Sequence, residues 1–170
     1  MDPLLLYEYL EKARERLLGW VLPLSLEQYT QGFPFGLGSI RATLLHMASA
    51  EFAYAHRIAG EPVPPPQERP FTEERLPDPA SLKEAWRDQA EQTKRVLASV
   101  QDWSKPIEYK GRAGEGKVVT VRTTAGGIAS QLVCHEVHHR AQVMAMLKHL
   151  GVPAENLDYA FLMFERQVED

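Results

Sequence analysis

Apolar residues recur at helical spacing in four long stretches of the chain. In the first, Leu6, Leu10, Ala13, Leu17 and Trp20 fall on one stripe, with Glu8, Glu11, Lys12 and Arg16 largely on other faces. Asp2-Pro3 reads as an N-cap followed by a first-turn proline, and the helix is expected to stop near Pro23. A second helix is predicted from Ser39, as N-cap, to Ala59, with Ile40, Leu44, Met47 and Ile58 at its apolar positions and Gly60 and Pro62 ending it. A third begins near Asp78-Pro79 or at Ser81, where Ser81-Leu82-Lys83-Glu84 has the form of a capping box. Leu82, Trp86, Ala90, Thr93, Leu97 and Val100 line its face, and it ends near Trp103. The fourth and longest runs from about Thr124 to Leu150, with Ile128, Leu132, Val143, Met146 and Leu150 as apolar contacts and Gly151 and Pro153 as terminators.

The intervening segments follow other rules. Ser25-Leu26-Glu27-Gln28 caps at most one short turn, and glycine and proline punctuate residues 32–38 as a loop. Residues 61–70 hold five prolines and form a stiff connector rather than a domain boundary. Ile107–Lys110 and Lys117–Val121 flank a segment with Gly111, Gly114 and Gly116, which predicts a two-stranded hairpin or a long loop. After Asn156 or Asp158 as a cap, residues 159–164 form a short closing helix. The expected fold is all-α: one domain over residues 1–170, an antiparallel four-helix bundle with a small hairpin or long loop before the last long helix. Its rival is a looser all-α packing with the hairpin docked on one end.

Composition narrows the function classes. Apolar residues make up 44% and charged residues 25%, values of an ordinary globular protein. A net charge of −4, with no clustered run of Lys and Arg, speaks against a nucleic-acid partner. No apolar stretch approaches the ~18 residues of a membrane span. The opening Met1-Asp2-Pro3-Leu4 carries no basic n-region or cleavage site, so no signal peptide is expected. The single cysteine, Cys134, fits a reducing cytoplasm.

The candidate chemistry lies in the histidines. Six are present, and three of them fall within His135-Glu136-Val137-His138-His139. Side chains four apart on a helix stand nearly above one another, so an i, i+4 pair can converge on one ion without bending the helix. His46, midway along the second helix, is the best third ligand, because Ala42, Thr43, Ser49, Ala50 and Ala53 around it are small and leave room for an ion. His139 lies ~40° around the helix from His135 and His138 ~60° to the other side, a difference that favours His139 without deciding between them. His56 and His149 read as ordinary polar residues. Cys134 points ~100° away from His135 and reads as a small core residue. Glu51 and Glu136 read as surface groups or as inter-helix partners of an arginine such as Arg140, and Gln142 as a residue that orients water or a ligand, or as a plain helix residue.

His135-Glu136-Val137-His138-His139-Arg140-Ala141-Gln142 resembles the HxxHHRxQ helix of the DinB/YfiT superfamily. Leu44-Leu45-His46-Met47-Ala48-Ser49-Ala50-Glu51 resembles the helix that supplies that family's first histidine, and Gly151-Val152-Pro153 with Asp158-Tyr159 resembles its C-terminal segment. The resemblance implies an up-down-down-up four-helix bundle, often a homodimer, holding zinc or nickel with three histidines, here His46, His135 and His139. Where the family usually has glycine, this chain has Ala141. Relatives include thiol-dependent transferases, thiol-dependent isomerases and metal-dependent hydrolases.

Three function classes follow. An enzyme would use an open three-histidine centre to activate a low-molecular-weight thiol for transfer to an electrophile, or to activate water for hydrolysis. No catalytic base is assigned. A non-catalytic metal-binding stress-response protein would use the site structurally, though structural zinc sites favour four ligands and cysteine. A DNA-binding role is disfavoured by the charge.

Overall fold

The computed structural model describes residues 2–112, 114 and 117–167. Helix α1 spans Pro3–Val21, and the Asp2 carboxylate caps it by accepting from the Leu4 amide at 2.9 Å. A short helix α2, Leu26–Thr30, opens with a capping box between Ser25 and Gln28. Helix α3 covers Ile40–Ala59, between the Ser39 cap and Gly60, which takes the left-handed conformation (φ 79°) that glycine adopts at least cost. A single 3-10 turn at Pro66–Glu68 lies in the proline-rich connector. Helix α4 spans Pro79–Ser99 and is capped by Asp78, not by Ser81: the Asp78 side chain accepts from the Ser81 amide at 2.8 Å.

Strands β1 (Pro106–Arg112) and β2 (Val118–Thr124) pair antiparallel, with Tyr109 opposite Val121. The chain is therefore mostly helical with a small two-stranded sheet, and the hairpin alternative is the one realised. Gly116 of the predicted turn lies outside the described residues. Strand β2 passes directly into helix α5 (Ala125–His149), whose N-cap is Thr124. Helix α6, Tyr159–Met163, closes the described chain, and the Asp158 side chain makes no capping bond.

The four long helices pack as a ring of neighbours, α1 against α4 and α5, and α3 against the same two. Leu10, Leu17, Leu44, Leu82, Trp86, Met146 and Leu147 are among the fully buried side chains between them. Their ends are tied by specific contacts. Lys83 near the start of α4 pairs with Glu15 towards the end of α1 (2.6 Å), and Lys94 pairs with Glu11 (3.1 Å). The Gly126 amide, at the start of α5, donates to the Trp103 carbonyl just beyond α4 (2.9 Å).

The core also contains charge. Arg14 of α1 bridges Glu51 of α3 (2.7 Å) and Glu136 of α5 (2.5 Å), and all three are buried. Glu51 further accepts from Tyr7, from Trp86 Nε1 (2.8 Å) and from Thr93 Oγ1 (2.8 Å). One carboxylate thus gathers donors from α1 and α4 as well as the guanidinium. Burial alone would pull the Arg14 guanidinium down, but Glu136 and Glu51 outweigh it and hold it well above its usual value. Both carboxylates were expected at the surface or beside an arginine such as Arg140. The inter-helix pairing holds, but its cation is Arg14. Arg140 instead donates to the Tyr9 hydroxyl.

Candidate metal centre

Helices α3 and α5 lie side by side, with Tyr54 facing Gln131 and His46 facing His139, so they run in opposite directions. This arrangement brings three rings together. The ring centroids of His46 and His135 are 4.8 Å apart, those of His46 and His139 4.7 Å, and those of His135 and His139 4.5 Å. One ring nitrogen from each lies within 4.8 Å of the other two, and Nε2 of His46 is 2.9 Å from Nε2 of His135. Two nitrogens about 2.1 Å from a common ion sit roughly 3.0–3.4 Å apart, from a right-angle to a tetrahedral arrangement, so the His46–His135 spacing lies at the close end of what an ion between them needs. The three histidines could hold a metal ion. His139 is buried, His135 half-buried and His46 exposed, so the cluster reaches solvent from the α3 side.

The surroundings favour the neutral imidazoles that ligation requires. Burial, helped by the neighbouring His139, His46 and His138, pushes His135 down to about 4. Burial, with His139 and the positive charge of Arg69, also lowers His46. Nδ1 of His139 lies 2.9 Å from Oε1 of Gln142, which can only accept, so Nδ1 carries the proton and Nε2 keeps its lone pair for the cluster. The same amide donates its Nε2 to Nε2 of His138 (3.0 Å). His138 is therefore outside the cluster, one hydrogen bond removed. Gly36 makes this possible: it has φ +61°, and a Cβ there would lie 3.1 Å from Gln142 Oε1.

The other candidates separate cleanly. His56 bonds the Phe52 carbonyl (2.9 Å), and His149 packs beside Phe33 and Phe35. Cys134 is exposed rather than a core residue, because its ~100° offset from the ligand face turns it outward to solvent instead of inward.

Two neighbours had no signal in the histidine spacing. The Tyr54 ring stands edge-on to His135 at 5.7 Å, with its phenol pushed up by burial. Arg69 reaches back from the connector and donates to the Pro64 carbonyl (3.0 Å) and Ser49 Oγ (3.3 Å), close enough for its charge to act on His46.

The lowered histidines fix a pH dependence. Where His135 and His46 remain neutral in the folded protein, an unfolded chain with pKa near 6.5 is already protonated. Their share of stability is full above about pH 6.5 and is lost as pH falls toward 4. Metal-free wild-type protein should therefore lose more Tm between about pH 7 and pH 5 than His135→Gln does. Equal losses in calorimetry would refute the assignment.

A mostly helical chain with a three-histidine cluster able to take a metal ion is the class that fold and site define. The model of the DinB family matches residues 1–169, and the chain belongs to that family. No curated protein matches it.

Proposed function

We propose that His46, His135 and His139 hold one divalent ion, zinc or nickel, and that the protein is a metal-dependent enzyme transferring a low-molecular-weight thiol to an electrophile. The observation that carries this reading is the convergence of three ring nitrogens from two helices within 4.8 Å. Three imidazoles with His46 exposed make an open donor set, whereas a closed structural site takes four ligands and favours thiolates. The exposed Cys134 is turned away from this set. Bound there, the ion supplies Lewis acidity that lowers the pKa of a thiol or of water at neutral pH. The chain's own contribution is to favour neutral His46 and His135 and to orient His139 through Gln142.

Hydrolysis is the variant that uses the same open site. The up-down-down-up bundle order is supported by the contacts of Lys83 with Glu15 and of Gly126 with Trp103. A homodimer and a cytoplasmic location, both in line with the resemblance and the lone thiol, are part of the same proposal; light scattering of the purified protein reads the first.

The test is metal analysis of purified protein beside His46→Ala. Wild type should carry about one equivalent of metal per chain and the variant almost none. Thiol consumption with a panel of electrophiles should then depend on His46. Equal metal in both proteins sinks the site, and thiol turnover unaffected by the substitution sinks the transferase reading.

A further inference from the structure

A cleft of about 820 Å³ is walled by the end of α3, the proline-rich connector and β1. Arg57 and Arg69 both line it. Among the described residues neither guanidinium has a carboxylate within ion-pair distance, in contrast to Arg14, Arg16, Arg41, Arg87 and Arg122. The acids that share the cleft are drawn elsewhere: Glu108 pairs with Arg122 (2.8 Å), and Glu61 lies 3.6 Å from His56.

Both arginines are held in place. Arg57 lies over the Tyr109 ring, 4.1 Å from its centroid, and 5.9 Å from that of Tyr54. Stacking of this kind orients a guanidinium while leaving N–H groups at its edge free to donate. Arg69 is fixed by its bonds to the Pro64 carbonyl and Ser49. Partial burial, together with the repulsion between the two cations, lowers Arg69. Two pre-oriented guanidiniums lining one cleft, neither in ion-pair range of a described carboxylate, match the donor pattern that carboxylates and phosphates accept.

The cleft also adjoins the centre. The Tyr54 ring touches both sets, with the His135 ring centroid 5.7 Å away and the Arg57 guanidinium carbon 5.9 Å away. Ser49, which anchors Arg69, lies on α3 one turn beyond His46.

We propose that Arg57 and Arg69 bind the anionic end of a small substrate, a carboxylate or a phosphate, and thereby present the rest of the molecule across Tyr54 to the three histidines. The electrophile of the proposed transfer is then an organic anion. This step rests on the reading of the histidines as the reactive centre; the anion site itself does not.

Three fluorinated probes separate the cases by 19F NMR line broadening: 4-fluorobenzoate, 4-fluorophenyl phosphate and the neutral 4-fluorobenzamide. At least one anion should bind, more tightly than the amide. Whichever anion binds better identifies the source of the charge. Arg57→Gln should weaken that binding about tenfold, and Arg57→Lys should recover part of it. Binding of neither anion, equal binding of the amide, or no effect of Arg57→Gln overturns the proposal. In His46→Ala, anion affinity should stay within about twofold of wild type, because the anchor is the arginine pair. Loss of anion binding there would place the anchor at the metal and also overturn it. Metal content, measured on the same samples, fails or stands separately.

Discussion

Replacing Arg14 with leucine will destabilise the protein by about 3–5 kcal/mol, the cost of leaving buried carboxylates without their cation. Glu51 and Glu136 would then face each other inside the core with no guanidinium between them. Burial already raises the Glu136 carboxyl against the pull of Arg14, and without Arg14 it would rise further. The double variant Arg14→Leu/Glu136→Leu should be less destabilised than Arg14→Leu alone. It removes the carboxylate that depends most on Arg14, while Glu51 keeps Tyr7, Trp86 and Thr93 as donors. Urea unfolding of the metal-free proteins measures both, since bound metal would add its own stabilisation. A double variant no more stable than Arg14→Leu would show that Glu136 does not depend on Arg14.

His139→Ala will weaken metal binding by more than about 100-fold, and Gln142→Leu by about 10–100-fold, the range for partners that orient a ligand. The difference follows from geometry. His139 is one of three donors to the cluster, so its loss leaves an incomplete set. Gln142 only fixes the Nδ1 proton of His139, so the ligand remains but its ring is free to turn. Competition with a chromophoric chelator reads both affinities. If Gln142→Leu matches wild type, the hydrogen bond does not orient the ring. If His139→Ala matches wild type, the centre lies elsewhere.

Much of this architecture was legible from local rules. Asp2, Ser39 and Gly60 mark helix ends because capping is a short-range property of a few side chains and backbone angles. The i, i+4 spacing of His135 and His139 is equally local. His46 was legible from the small residues around it. The buried ion cluster was not, because charged side chains ordinarily mark the solvent face and the partners come from three different helices. A signal did exist. Arg14 follows Leu10 by four residues, Glu51 follows Met47 by four, and Glu136 follows Leu132 by four. Each charge sits where the helical stripe calls for an apolar residue. Cys134 shows the reverse: its small size beside core positions suggests burial, yet the helix turns it outward to solvent. Arg57 and Arg69 escaped because their meeting depends on how the connector folds back against α3, which no periodicity records.

The bridge from Arg14 to α3 and α5 has a meaning for ion choice. Glu136 is the residue after His135, and Glu51 follows His46 by about a turn and a half of helix. The same cross-brace that secures the core therefore also ties together the two helices that carry His46 and His135. A frame stiffened in this way acts as a calliper. In the proposed centre, an ion held by His46, His135 and His139 would have to suit the spacing that this frame sets, because spreading α3 from α5 would pull on a buried ion pair.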